Sequence, residues 1–281
     1  MGTLYHNDVA YGVSGAGSTL TADLTASVEV GGVSVGDSFN SGTSLETVLR
    51  SVLSPTLYPT FTNPSASMTA SGAKLIEKGG SLNTTFTITF NRGSIDPAYG
   101  TSGYRSGEAD EYTLDGTTQS GNTFSKTITE ATTSYQGSVS YLAGEQPKDS
   151  TGQNYSTPLP AGSVNTNTIS YEFVEATWAN TSDITTVAKQ SLVSKSTKVK
   201  EFNFPSATVA NPEIFDIPTS WTVTAVEVFN TLNNQWESCI SEFSTSSVSH
   251  DDASGTSVTY TRYTCNLGYA MGSRKVRCKW S

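Results

Sequence analysis

Length, composition and charge exclude several classes of protein before any motif is considered. The chain has 281 residues, of which 15% are charged and 10% aromatic, and this balance favours an all-β protein with many turns. A net charge of -9 argues against a nucleic-acid-binding surface, which needs a basic excess.

Neither membrane insertion nor secretion is predicted from the sequence. No run of eighteen or more apolar residues occurs, so we expect no membrane-spanning helix. The first residues lack the charged start and the apolar run of a secretory signal, which predicts synthesis in a cytoplasm.

The first 41 residues predict a thin arm made of short strands. Val9 and Tyr11 begin an alternating pattern, a Gly-Ala-Gly around Ala16 interrupts it, and valines resume it around a Gly31-Gly32 turn. Because short two-stranded elements are not stable alone, we expect the arm to add to a sheet of this chain or of a neighbouring subunit.

Residues 42–59 contain the one helix signal of the chain. Thr43 and Glu46 have the spacing of a capping box, and Pro55 is predicted to end the helix. The apolar residues recur at three- and four-residue steps and form one stripe: Leu45, Val48, Leu49, Val52 and Leu53. A helix this short is marginal alone in water, so we predict that the stripe is an assembly site covered by another part of the chain or by a partner.

Residues 60–176 predict an antiparallel β-sandwich of immunoglobulin-like kind. The predicted strands alternate apolar residues with Ser or Thr and are separated by turn residues: Ser65–Ala70, Leu82–Phe90, Asn122–Thr129, Gln136–Leu142 and Ser163–Val174. The cysteine pair of antibody domains is absent from this stretch, so its core is expected to rest on packing alone.

Two long insertions in this sandwich, residues 91–112 and 143–160, carry tyrosines among Gly, Ser and Asn. Tyrosine binds well from loops, because its flat ring offers a large contact area at a low entropic cost. The candidate ligand-binding residues, suited to stacking on a sugar ring, are Tyr99, Tyr104, Arg105, Tyr112 and Tyr155. The alternative is that these rings only close the end of the sandwich.

Residues 177–200 predict a linker, and residues 201–281 predict a second β domain. The linker is rich in lysine, which is compatible with a solvated face or with a patch for an acidic partner. In the C-terminal domain, Asn233-Asn234 predicts a turn before Trp236. The closing strand alternates apolar residues with outward cations, a pattern that predicts an edge or subunit-facing strand.

The sequence contains no pattern for catalysis, metal binding or a cofactor. The two histidines, His6 and His250, lie in no zinc or nucleophile motif, and the oxygen-rich run His250-Asp251-Asp252 matches a hairpin turn better than a calcium loop. The carboxylates considered for glycoside hydrolysis are not paired by any spacing: Asp96, Glu108, Asp110, Glu111 and Asp115. The three cysteines are too few for a disulfide framework, and Cys278 is predicted to be a buried small apolar residue. We therefore predict a non-enzymatic protein.

Two stretches near the ends of the chain carry a resemblance to a known class of protein. The first reads VGGVSVGD from residue 30 and GTSLETVL from residue 42. The second combines an apolar run, a proline and Ser-Trp in residues 215–221 with VTYTRYT from residue 258 and the basic closing strand. These stretches resemble modules in structural proteins of tailed gut bacteriophages, including appendage and fibre proteins. The middle sandwich matches only in general character.

The resemblance implies a virion structural protein, made in the host cytoplasm and placed as a tail or head fibre or decoration appendage. Its expected partners are other virion proteins and a host-surface glycan. The apolar stripe and the thin arm predict a homo-oligomer, with a trimer favoured. The alternative is a carbohydrate-binding module or surface adhesin that uses the tyrosine-rich loops. A polysaccharide-cleaving tailspike is a third interpretation, which needs a carboxylate pair that the sequence does not define.

Overall fold

The structure is a computed structural model that describes residues 18–53 and 56–281, together with the backbone of two strands before residue 18. Strands account for 51% of the chain and helices for 6%, which confirms the predicted all-β class with one short helix. The predicted helix stop at Pro55 and the predicted interruption around Ala16 lie outside the described residues.

The elements before residue 176 are short strands and a single helix. They are β1 (Thr3–His6), β2 (Val9–Gly12), β3 (Leu24–Thr25), β4 (Ser38–Phe39), α1 (Leu45–Leu53), β5 (Thr60–Thr62), β6 (Ser65–Ala70), β7 (Leu75–Glu77), β8 (Leu82–Asn91), β9 (Ser94–Asp96), β10 (Ala109–Leu114), β11 (Thr117–Gln119), β12 (Thr123–Ile128), β13 (Ser134–Tyr141), β14 (Gly162–Ser170) and β15 (Glu172–Val174).

The elements after residue 176 are strands and two single turns of 3₁₀ helix. The strands are β16 (Trp178–Asp183), β17 (Thr186–Lys189), β18 (Val199–Phe204), β19 (Ile214–Pro218), β20 (Val223–Asn230), β21 (Gln235–Ser238), β22 (Phe243–Asp251), β23 (Ser257–Cys265) and β24 (Arg274–Trp280). The 3₁₀ turns are Lys195–Thr197 and Ile240–Glu242.

The chain divides into two compact units, each assembled from segments that are separate in sequence. Unit 1 consists of Met1–Ser65, Phe90–Glu111 and Val139–Val164. Unit 2 consists of Ala66–Thr89, Tyr112–Ser138 and Asn165–Ser281. The domain boundaries at residues 59, 176 and 200 stay predictions. The segment for which a linker is predicted contains the antiparallel hairpin β16–β17.

In unit 1, the helix α1 is present as predicted, but a different residue caps it. The Ser44 Oγ accepts a hydrogen bond from the backbone N–H of Thr47 at 3.1 Å, which is the contact of an N-cap residue. Because α1 begins at Leu45, the capping position is Ser44, and the prediction of Thr43 is wrong by one residue. The Glu46 carboxylate pairs with Arg50 at 2.8 Å on the next turn of the helix.

The arm contacts the backbone of α1. The predicted Gly31-Gly32 turn is confirmed, because Val30 and Val33 form an antiparallel bridge across it and Gly31 has a φ of +57°. The Gly32 N–H donates to the Ser51 carbonyl at 3.2 Å, and a Cβ at position 31 would overlap the Val52 carbonyl oxygen. Glycine is therefore required at position 31 both by conformation and by the approach of the helix.

The middle of the chain is sandwich-like. One sheet has the order β12-β8-β6 and the other β11-β10-β13-β14. Phe86 and Ile88 on β8 are fully buried, as their alternation predicts, and the Phe86 ring lies 5.0 Å from the ring of Tyr135 on β13. The long strand predicted at Ser163–Val174 is instead two strands. The chain leaves β14 at Tyr171, and β15 pairs in parallel with β7.

The last part of unit 2 packs a sheet of order β17-β16-β19-β23-β22 with one of order β18-β24-β20-β21. The prediction that the closing strand β24 is an edge is wrong, because β24 pairs with both β18 and β20. Its outward cations are used by neighbouring strands, since Arg277 pairs with Glu227 and Lys275 with Glu201. Cys278 is fully buried, as predicted, and burial raises the pKa of its thiol to about 12.

Candidate functional site

The apolar stripe of α1 is partly open in the described chain, since Leu45, Val48 and Val52 are half-buried and the other two leucines are exposed. No residue of the helix is buried, and Leu53 and Leu49 are 74% and 47% exposed. An open groove of about 400 Å³ runs beside the helix and is lined by residues that include Leu45, Leu49 and Leu53. The Glu46–Arg50 pair also lines it, so the groove joins an apolar floor to a charged side.

A row of stacked side chains forms the second feature of unit 1. The ring of Tyr155 lies 4.7 Å from the ring of Tyr58 and 6.3 Å from the ring of Phe61. The guanidinium of Arg105 lies 4.2 Å from the centre of the Phe61 ring. We call Tyr58, Tyr155, Phe61 and Arg105 the aromatic row, because each member contacts the next through a tilted or stacked ring pair or a cation–π contact.

The row is positioned by a short strand and a tight loop. Phe61 lies on β5, where it faces Ile95 of β9. Tyr155 follows a loop held by Asp149, whose Oδ1 accepts the N–H of Thr151 at 2.8 Å, the Thr151 hydroxyl at 2.7 Å and the N–H of Gln153 at 3.0 Å. These bonds, chiefly from the Thr151 side chain, lower the pKa of the Asp149 carboxyl below its ordinary value.

Two hydrogen bonds connect this loop to the segment that carries Tyr58. The backbone N–H of Leu57 donates to the Ser150 Oγ at 2.8 Å, and the N–H of Ser150 donates to the Leu57 carbonyl at 2.9 Å. Residues 93 positions apart are therefore held side by side. Tyr58 is 55% exposed, so the row ends in an exposed tyrosine.

Hydrogen-bonding groups remain available on the row and in the loop that precedes Tyr155. In the part of the chain that the structure describes, the hydroxyls of Tyr58 and Tyr155 and the exposed side-chain amides of Gln153 and Asn154 make no hydrogen bond. A flat apolar surface bordered by unpaired donors and acceptors can bind a ligand that has an apolar face and a polar rim.

The structure brings together two of the predicted ligand-binding residues, Arg105 and Tyr155. Tyr104 lies elsewhere in unit 1, with the Arg92 guanidinium 4.0 Å from its ring centre. Tyr99 is half-buried in a backbone conformation of positive φ. Tyr112 belongs to unit 2 and lies in strand β10, opposite Gln119, rather than in a loop.

Sequence reasoning missed Tyr58 and Phe61, which complete the row. The only local signal is the sequence Tyr-Pro-Thr-Phe, which begins at residue 58, a few residues after the end of α1, and has an aromatic residue at each end. Nothing in that signal indicates the loop of Tyr155 as a partner, because the contact depends on the long-range pairing of Leu57 with Ser150.

A buried polar cluster in unit 2 was also missed. Asp216 is fully buried and accepts two hydrogen bonds at 2.8 Å from Arg262 and one at 2.6 Å from the Nε2 of His250. The imidazole also stacks on Trp178 at 4.1 Å, so this histidine joins strands β16, β19, β22 and β23.

Three of the residues considered for chemistry, Asp252, Glu108 and Asp115, serve a turn and two ion pairs. The Asp252 Oδ1 accepts the N–H and hydroxyl of Ser254 and the N–H of Thr256, which is the pattern of a tight turn. Glu108 pairs with Arg92 at 2.5 Å, and Asp115 pairs with Lys126 at 3.6 Å. Within residues 18–53 and 56–281, no group of three or more His, Cys, Asp or Glu side chains is placed to hold a metal ion.

Among the described helices, none has the length and apolar character needed to cross a membrane. No protein-family model matches this chain, and no curated protein matches it either.

Proposed function

We propose that this chain is a non-enzymatic structural protein of a tailed bacteriophage, a fibre-like or decorating appendage on the tail or head that assembles with copies of itself. The observation that carries the proposal is the partly open apolar stripe of α1. The resemblance of the arm, the α1 segment and the C-terminal module to phage structural proteins supports the virion as the place of assembly.

The stripe has the form of a helix–helix contact. Its members recur at three- and four-residue steps, so they face one side of α1, and none of them is buried in the described chain. Full burial of one leucine side chain contributes roughly 1.5–3 kcal/mol. Covering Leu49 and Leu53 with the same stripe of neighbouring copies would therefore stabilise a homo-oligomer, and a trimer is the arrangement that we favour.

Light scattering coupled to size-exclusion chromatography tests this assembly. We expect the wild-type chain to elute as a homo-oligomer and the Leu49→Asp variant to dissociate, because the substitution places a charge in the stripe. The matched control is Leu232→Asp, since Leu232 is 96% exposed in the turn between β20 and β21 and lies outside the stripe. A wild-type monomer at every concentration, or equal masses for wild type and Leu49→Asp, would contradict the assembly role of α1.

The virion assignment needs a separate measurement. Phage particles purified by density gradient from a lysate that contains this chain should carry it at a constant ratio to the major capsid protein, as measured by quantitative mass spectrometry. If the chain stays in the particle-free fraction of the lysate, it is not a virion component.

The aromatic row favours a second function, the binding of a glycan. A host-contacting appendage and a stand-alone carbohydrate-binding module would share this property. The mass and virion measurements distinguish the two, because a stand-alone module requires neither a homo-oligomer nor a place in the particle.

A further inference from the structure

We propose that the exposed end of the aromatic row is a glycan-binding site, in which one pyranose ring stacks on the outer face of Tyr58 and its hydroxyls bond to Gln153, Asn154 and the tyrosine hydroxyls. This inference deepens the glycan-binding function above and does not depend on the chain being part of a virion.

The first argument is that the platform is rigid before any ligand binds. Tyr155 backs Tyr58 at 4.7 Å, and Phe61 and Arg105 extend the support behind it. The two hydrogen bonds between Leu57 and Ser150 hold the segment of Tyr58 against the loop. A ring that is already ordered loses little entropy on binding, so most of the stacking energy appears as affinity.

The second argument concerns the shape of the ligand. The ring of Tyr155 lies 4.7 Å from the tilted ring of Tyr58 and 6.3 Å from the stacked ring of Phe61, which leaves no groove between them for a proline-rich peptide. Among the members of the row, Tyr58 is exposed whereas Tyr155 and Phe61 are half-buried, and one exposed tyrosine matches a single flat ring. A pyranose presents such a face of C–H groups, with its hydroxyls projecting at the rim.

The third argument concerns charge at the rim. The Asp149 carboxylate is occupied by Thr151 and Gln153, and the Glu145 carboxylate accepts the N–H of Ser102 at 2.9 Å. In the described residues, Lys148 of the same loop forms no ion pair. The loop therefore carries two hydrogen-bonded carboxylates and one unpaired cation, which favours neutral sugars over uronates, and the two classes need separate arms in the experiment.

Affinity electrophoresis in native gels is the test. The gels contain a neutral polysaccharide (xyloglucan, galactomannan or glycogen) or an anionic one (alginate or polygalacturonate). We expect the wild-type chain to be retarded in at least one gel. Titration of the Tyr58→Ala variant with an oligosaccharide of the retarding polymer should show about tenfold weaker binding, equivalent to about 1.4 kcal/mol. Tyr58→Phe should keep the stacking contribution and bind more tightly than Tyr58→Ala.

The matched control is Tyr269→Ala, which removes a tyrosine of unit 2 that is 61% exposed and belongs neither to the row nor to the candidate ligand-binding residues. Its affinity should equal that of the wild type. The proposal is overturned if no polysaccharide retards the wild-type chain, or if Tyr58→Ala binds as tightly as the wild type. The test is independent of assembly, since Tyr58→Ala should keep the mass of the wild type and Leu49→Asp should keep the glycan affinity of each site.

Discussion

The buried pair of Glu213 and Arg274 offers the strongest test of the energetics of unit 2. Glu213 is fully buried just before β19, and the Nε of Arg274 lies 2.9 Å from each of its carboxylate oxygens. Arg274 also donates to Glu242 at 2.7 Å. Replacing Arg274 by methionine keeps an unbranched apolar stem and removes the charge, so Glu213 loses its partner while remaining buried.

Breaking a buried pair in this way costs about 3–5 kcal/mol of the free energy of unfolding. Replacing both partners by apolar residues, in the double variant Glu213→Leu and Arg274→Met, should recover most of this loss, because no uncompensated charge is then left inside. Urea denaturation followed by tryptophan fluorescence measures both variants. All four tryptophans belong to unit 2, as do Glu213 and Arg274, so the signal reports the correct unit.

The pH dependence gives an internal check on the same variant. Burial raises the pKa of Glu213 above its ordinary value of 4.5, although Arg274 opposes the shift. Between the pKa of Glu213 in the unfolded chain and its higher pKa in the folded chain, the folded chain holds a proton that the unfolded chain has lost. The free energy of unfolding therefore falls as the pH rises through this range. Without Arg274 the folded pKa rises further, and the deficit of Arg274→Met should be larger at about pH 8 than at about pH 5. A loss below about 1 kcal/mol, as for an exposed pair, or a deficit independent of pH would refute this reasoning.

Two further predictions concern unit 1. Ser44→Ala should lower the stability of α1 by about 1 kcal/mol, because it leaves the Thr47 N–H without its cap, whereas Thr43→Ala should have little effect. Hydrogen exchange of the α1 peptides measures both variants. Equal exchange in the two would contradict the cap assignment. The loop held by Asp149 should loosen as the pH falls. The pKa of Asp149 is lower in the folded chain than in the unfolded chain, so its carboxylate stabilises the loop above the unfolded pKa. This stabilisation is lost as the pH falls through the folded pKa. The protection factors of residues 147–155, which are corrected for the pH dependence of intrinsic exchange, should therefore fall in acid in the wild type but remain flat in Asp149→Asn.

Local periodicity was enough to predict the class of the protein and several of its elements. Alternation in β8 places Phe86 and Ile88 in a core, because successive side chains of a strand point to opposite faces. The stripe of α1 and the turns at Gly31 and Asn234 follow equally from short stretches of sequence. The helix cap was misplaced by one residue, since Thr43 and Ser44 are both good capping residues and only the backbone conformation decides between them.

The candidate glycan site could not be predicted in the same way. Arg105 and Tyr155 were identified from the composition of their loops, but Tyr58 and Phe61 join them only through the pairing of β5 with β9 and the contact of Leu57 with Ser150. Such contacts join segments far apart in the chain. Their formation depends on the packing of the whole unit, which no local pattern encodes.

The sequence by itself therefore determined the all-β class, the single helix, its apolar stripe and the alternation of the main strands, because each depends on neighbours within a few residues. The tertiary structure decided the order of the strands. It places β24 in the interior of its sheet rather than at the predicted edge, and the predicted strand Ser163–Val174 is two strands. It also decided which side chains meet, because the charges of Glu213 and Asp216 are buried only where arginines from distant strands reach them.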